Sequence, residues 1–268
     1  MDNKQVYDTE ELYDHHMDNE SQKNFMDFYG KLFSKYKIKT IHDCSIGAGG
    51  TTLPLAKLGY TVSGSDLSRN LLNRAKINFE KNGYHPDLFV ADFRYFGNNL
   101  NENVDAIIST GNSLPHVNLN GFNDFLHSAS KKLNNNGLLF FDIRNWDKMV
   151  REKPLIATIG SPNVTSQNSI NKYMIFNWHD NGSVTFSAAT SVYNNREYIS
   201  LNVVHTPTSY PLLKKDIKNS ISKNGYKLIN FIDMDDVWVN KNWIENKSGD
   251  FDKDFDVIRW YGVLAQKL

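Results

Sequence analysis

The chain has 268 residues, enough for one large domain or for one domain carrying a sizeable insertion. Lys plus Arg and Asp plus Glu both total 30, so no broad basic field is expected and a nucleic-acid partner is disfavoured. One cysteine, Cys44, excludes an internal disulfide and a cysteine-rich metal site.

The first residues are polar and lack an apolar run, so no secretory leader is visible. No stretch approaches the ~20 apolar residues of a membrane helix. A cytoplasmic protein without membrane contact is the expectation. Residues 1–17 carry Tyr7, Tyr13, His15 and His16 among acids. They read as a polar arm, or as a lid over a ligand. The two histidines lack a third partner, so no metal site is expected. Between Asp18 and Tyr36, Phe25, Phe28, Tyr29, Leu32, Phe33 and Tyr36 recur at helical spacing. This predicts an amphipathic helix on the sheet edge or over a pocket.

Thr40 to Ile46 reads as a buried strand, Gly47-Ala48-Gly49-Gly50 as a tight loop, and Thr51 to Leu58 as a helix. Tyr60 to Ser65 reads as a second strand ending at Asp66. Strand, glycine turn, helix and strand ending in an acid make a nucleotide-binding βαβ unit. Ser68 can cap a helix through Phe79 that closes at Gly83. Asp87 to Asp92 and Val104 to Ser109 are the third and fourth strands, followed by a helix over about 121–133. Asn134 to Gly137 reads as a turn and Gly137 to Ile143 as the fifth strand. Short apolar strands separated by helices describe a mostly parallel sheet covered on both faces.

The pattern then changes. Residues 171–180, 183–194 and 197–210 read as three β segments joined by Asn181-Gly182 and Asn194-Asn195. Those pairs are hairpin turn chemistry, so an antiparallel meander is expected. A helix over 214–223 follows. Tyr226 to Ile232 and Val257 to Ala265 form a final antiparallel pair, and 240–254 reads as a polar loop. The predicted units are an arm and helix over 1–36, an α/β domain over 37–146 and 211–268, and an inserted meander over 147–210.

The loop suits a particular ligand. The dinucleotide fingerprint places a third glycine where Thr52 stands here. Asp43 lies four residues before Gly47, and a carboxylate beside the loop repels a pyrophosphate but suits a cation. A structural glycine turn in another α/β protein is the plain alternative. The pattern Asp-x-x-x-Gly-x-Gly followed by an acid ending the next strand resembles motif I of the class I methyltransferases. Two further stretches narrow the resemblance: Gly111-Asn112-Ser113-Leu114-Pro115-His116 after the fourth strand, and Asp142-Ile143-Arg144-Asn145-Trp146-Asp147 ending the fifth. Together they resemble the glycine, sarcosine and dimethylglycine N-methyltransferases, well over about residues 7–150 and only in layout across the meander.

The resemblance implies a Rossmann-like sheet, S-adenosyl-L-methionine as cofactor and S-adenosyl-L-homocysteine as product. It implies cofactor contacts from Asp43, Gly47, Ala48, Gly49, Asp66, Leu67, Asp92, Phe93, Thr110 and Asn112. Arg144, Asn112 and Tyr173 would hold a small amino-acid acceptor, with Tyr13 and His116 beside the reacting groups. Packing, capping or salt-bridge roles remain open for Arg144, His116, Tyr13 and Tyr173. A different carboxylate-bearing amine or thiol acceptor remains open too. An RNA or protein methyltransferase, or a non-catalytic cofactor module, fits less well. Monomer and homo-oligomer are equally compatible.

Overall fold

The computed structural model describes residues 19–158, 163–164, 168–195, 197–238 and 247–268. Seven strands form the larger sheet: β1 (Thr40–Asp43), β2 (Thr61–Asp66), β3 (Asp87–Val90), β4 (Val104–Ser109), β5 (Leu133–Arg144), β11 (Tyr226–Asp233) and β12 (Trp260–Lys267). Their spatial order is β3-β2-β1-β4-β5-β12-β11. The first five run parallel, and β12 is antiparallel to both β5 and β11. Chain order reverses between β1 and β4, which opens a crevice at the carboxyl ends of those strands.

Side-chain alternation builds two cores from this one sheet. Ile107, Leu139, Phe141 and Ile143 face Phe122, Phe125 and Ala129 of helix α4 (Leu119–Lys132). Ala106, Ile108, Leu138 and Phe140 face the opposite layer, with Phe25, Tyr29 and Phe33 of α1 (Asn19–Phe33). The helix α1 therefore lies across the sheet face, with Phe28 5.5 Å from Phe140, rather than at the sheet edge. Helix α2 (Leu53–Lys57) has Pro54 in its first turn, where no N–H partner is lost. Helix α3 (Arg69–Lys81) starts where the Ser68 hydroxyl accepts from Leu71 N at 3.2 Å.

The expected turn over 134–137 sits inside β5 as an irregularity: the register with β4 shifts between Val104↔Leu133 and Ala106↔Leu138 and Asn136 is left-handed (φ 61°), while Asn134 Nδ2 donates to Asp105 Oδ1 at 2.8 Å and Gln266 Nε2 to the Asn136 carbonyl at 3.0 Å. After helix α5 (Trp146–Glu152), the second sheet holds β6 (Ile156–Thr158), β7 (Asn163–Val164), β8 (Asn168–Trp178), β9 (Val184–Asn194) and β10 (Glu197–His205). It is antiparallel in the order β10-β9-β8-β6, with β7 also on β8. Gly182 (φ 80°) and Asn195 (φ 48°) supply the left-handed turn positions. Met174 and Phe176, two apart on β8, bury into the core of the larger sheet.

Helix α6 (Lys214–Lys223) returns the chain to that sheet, and α7 (Asp235–Trp238) follows β11. The polar stretch after it is structured in its described part. Helix α8 (Phe251–Asp254) is capped by Asp250, and Lys247 Nζ bridges Asp233 (2.6 Å) and Asp235 (2.8 Å). No helix among the described residues is long and apolar enough to cross a membrane.

Candidate active site

A pocket opens at the carboxyl ends of β1, β2, β3 and β4. Its wall includes Gly47, Ala48, Asp66, Leu67, Asp92, Phe93, Thr110, Gly111, His116 and Trp238. The glycine loop is its floor. Gly47 and Gly49 have φ of 54° and 81°, where side chains are strained, and a Cβ on Gly49 would come within 2.7 Å of Phe79. Gly49 is thus a packing glycine against α3, whereas Gly47 faces the pocket. The Asp66 carboxylate accepts from Gly47 N at 2.8 Å and from Ser68 N at 2.9 Å, which fixes the end of β2 against the loop.

Asp43 lies beneath the loop, fully buried, and is absent from the pocket wall. It accepts hydrogen bonds from the Thr52 hydroxyl and from Ser45 N (3.0 Å). Thr52, which replaces the third glycine of the dinucleotide pattern, is therefore the loop's anchor to Asp43. Burial pushes the Asp43 carboxyl up to about 7 and also raises Asp66.

At the next strand end, Gly111 and Asn112 are consecutive left-handed residues (φ 77° and 62°). Gly and Asn adopt that conformation most readily. The turn aims both main-chain N–H groups at Asp142 Oδ1, at 2.8 and 3.4 Å. Trp260 Nε1 donates to the same oxygen (3.1 Å) and Trp238 Nε1 to Oδ2 (2.9 Å). Asp142 is completely buried, and burial lifts its carboxyl to about 6. Neither tryptophan was legible as a site residue, because they stand 96 and 118 positions from Asp142. The buried acid ending β5 was the one available signal.

The Asn112 side chain serves the scaffold. Its Oδ1 accepts from Arg144 N and from Trp146 Nε1, both at 3.1 Å, and the residue is outside the pocket wall. Arg144 is half-buried at the end of β5 and, like Asn112, is outside the pocket wall, with its guanidinium 4.8 Å from the Trp260 ring centroid. Nη2 contacts Met174 Sδ at 3.6 Å. No ion pair holds it among the described residues, and burial alone lowers its pKa to about 10, leaving it charged at neutral pH.

Met174, rather than Tyr173, meets Arg144. Adjacent strand residues face opposite sides, and Tyr173 pairs across the strands with Thr158 and Ala189. His116 lines the pocket, and its imidazole is uncharged: burial drops the pKa to about 4, against a hydrogen bond to the Thr208 main chain. The Asp92 carboxylate is held by Arg94, through Nε and Nη2, beside Phe93. Tyr13 falls outside the described residues. Cys44 is a buried thiol donating to Ile108 O at 3.3 Å, and burial raises its pKa. No cluster of three metal-ligating side chains occurs among the described residues.

The donor set can be tested against a cationic nucleoside. Of the acids near the loop, Asp66 lines the pocket with no ion-pair partner among the described residues, while Asp43 and Asp142 are buried behind the wall. The Arg94 guanidinium in the wall is committed to Asp92. Among the described residues the wall therefore offers the Asp66 carboxylate and no cation free to hold a phosphate, which suits a sulfonium and an ammonium.

These features define a crevice at the switch point of a doubly wound sheet. Residues 41–137 match a family described as a methyltransferase domain. The fold is that of the S-adenosylmethionine-dependent methyltransferases: a crystal structure of one from Clostridium acetobutylicum superposes with a TM-score of 0.70 at 17% identity, covering 96% of this chain and 95% of that one. Curated glycine/sarcosine N-methyltransferases are similar in sequence. That from Parasynechococcus marenigrum is 28% identical over 132 residues, 46% of this chain and 44% of its own. That from Halorhodospira halochloris is 30% identical over 126 residues, 45% and 46% respectively. The chain spans about half the length of the curated relatives it matches.

Proposed function

We propose that the protein methylates the amine of a small amino acid of the glycine, sarcosine or dimethylglycine type, with S-adenosylmethionine as methyl donor. The names of the sequence relatives support the acceptor class. The observation that carries it here is Arg144. A charged guanidinium is held between a tryptophan face and a thioether, with no carboxylate of the chain among the described residues to neutralise it. Leaving such a group half-buried and unpaired is costly, and an acceptor carboxylate would satisfy it by a planar two-point contact.

When bound, the cofactor supplies an activated methyl group on sulfonium. The chain's own residues then have three tasks. The glycine loop, Asp66 and the Asp92–Phe93 pair hold the nucleoside. Arg144 fixes the carboxylate of the acceptor and so aims its nitrogen. Such alignment in a near-attack geometry removes much of the entropic barrier. The uncharged His116 accepts a hydrogen bond from the amine, but a pKa near 4 makes it a weak base, so the departing proton goes to water.

The test is methyl transfer from labelled cofactor to glycine, sarcosine, dimethylglycine and larger amino acids or amines. Transfer to a carboxylate-bearing amine is expected. With Arg144→Ala, the acceptor KM should rise roughly a hundredfold while cofactor Kd stays unchanged. Equal transfer to amines lacking a carboxylate, or a matching loss of cofactor binding, would remove Arg144 from the acceptor role.

A further inference from the structure

Lys247 is a buried cation that the pocket does not use. Its side chain is 12% exposed, and Nζ lies 2.6 Å from Asp233 and 2.8 Å from Asp235, whose side chain is 4% exposed. Taking such a pair out of water is expensive, and apolar residues of similar volume are often as stable in its place. The segment that carries Lys247 has its own anchorage. Ser248 N, Ser248 Oγ and Gly249 N donate to the Asp254 carboxylate at 3.0, 2.9 and 2.8 Å. Phe251 stacks on Phe231 at 5.6 Å and meets Tyr261 edge-on at 5.9 Å. The ion pair therefore acts on its other end.

That end is the junction of β11, α7 and β12. Asp235 opens α7, and its N donates back to Asp233 Oδ1 at 2.9 Å. The Asp235 carboxylate accepts from Arg259 N at 3.1 Å and from Trp260 N at 2.8 Å. One buried acid thus fastens the start of β12 to the start of α7. These two elements carry both indoles that donate to Asp142: Trp260 opens β12 and Trp238 closes α7. Trp238 also lines the pocket. A single helical turn has little stability of its own, so the place of α7 is set by what grips it. We infer that Asp235 and Lys247 are positioning residues for the cofactor pocket. Lys247 neutralises the buried Asp235 carboxylate, Asp235 sets α7 against β12, and α7 presents Trp238 to the cofactor. Neither residue lines the pocket, so their action passes through the indole. The inference rests on the cofactor site and is independent of the acceptor.

Calorimetry on the full chain tests it, with S-adenosyl-L-homocysteine as the titrated probe. Lys247→Met leaves the Asp235 carboxylate buried without its cation, and Kd should rise about tenfold. Far-ultraviolet circular dichroism is the folding check. Lys247→Arg keeps the charge and should return Kd to within about twofold of the wild type. The deciding measurement is a double-mutant cycle. In a Trp238→Ala background, Lys247→Met should change Kd by less than about twofold, because the indole through which it acts is gone. If Lys247→Met does not fold, Asp233→Asn replaces it in the same cycle. That variant keeps an acceptor for Asp235 N and weakens the grip on Lys247, so Kd should rise roughly threefold, and only when Trp238 is present. An unchanged Kd in the single variant would overturn the inference. So would independent effects at 247 and 238, which would make the ion pair part of the scaffold alone, or a Lys247→Arg variant as weak as Lys247→Met.

Discussion

The glycine loop under the pocket is held by hydrogen bonds to two carboxylates, whereas Arg144, outside the pocket wall, is held by one ring face and a thioether. On the first side Asp66 grips two N–H groups and Asp43 grips Thr52 and Ser45. On the second, Arg144 rests on Trp260 and Met174, side chains from distant parts of the chain. Three of the four donors on the first side are main-chain N–H groups, present whatever residue stands there, so that arrangement tolerates change in its donors. Side-chain packing changes with each substitution, so the second can be retuned to a new acceptor. Asp142 joins the two, since it takes N–H groups from Gly111, Asn112, Trp238 and Trp260.

Breaking that joint should have the largest effect. Asp142→Ala strands several donors at once, at roughly 1–3 kcal/mol for each buried group, and should destabilise the protein by about 3 kcal/mol or more in urea unfolding. It should also weaken both cofactor and acceptor binding. A variant that loses only one of the two would mean that the sides are not linked through this carboxylate.

Asp66→Ala should be more selective. It removes the acceptor for Gly47 N and the acid proposed to hold the nucleoside, and cofactor affinity by calorimetry should fall on the order of a hundredfold. The acceptor KM at saturating cofactor should change little. An unchanged cofactor Kd would place the ribose elsewhere.

The effect of Asp43→Asn should show in pH dependence rather than in binding, and its sign is set by burial. The folded carboxyl is raised from 3.8 to about 7, so the stability tied to its proton is present below pH 4 and lost as pH rises through 7. The variant has no such proton to lose. Its unfolding free energy without cofactor should therefore decline less between pH 5 and pH 8 than that of the wild type, by on the order of a few kcal/mol. Asp142, raised to about 6, acts in the same direction in both proteins. His42 has its pKa lowered to about 3, with its ring nitrogens against Ser63 and Ser65. It acts oppositely, losing stability as pH falls below 6.5, also in both. The difference between variant and wild type reports Asp43 together with its charge coupling to Asp66 and Asp142. Identical pH profiles would contradict the raised carboxyl.

Local chemistry was readable in the sequence and long-range partnership was not. The loop, the Ser68 cap and the hairpin turns each follow from residues within a few positions of one another. β4 and α6 fall on the expected residues for that reason. Gly111-Asn112 looked like ligand chemistry, yet the pair is first a left-handed turn, a signal present in the two letters themselves. Met174 could not be told from Tyr173, because the strand's facing depends on what β8 packs against. Trp238 and Trp260 reach the site only after β11 and β12 have closed the sheet.

The shared carboxylate has an optical corollary. Trp238 forms part of the pocket wall, and its indole and that of Trp260 are 5.2 Å apart, both tethered to one acid. Indole emission is sensitive to nearby charge and to water, so a cationic nucleoside entering beside Trp238 should alter the protein's intrinsic fluorescence. A titration would then report occupancy in real time without a label, and Trp238→Phe should silence most of the signal.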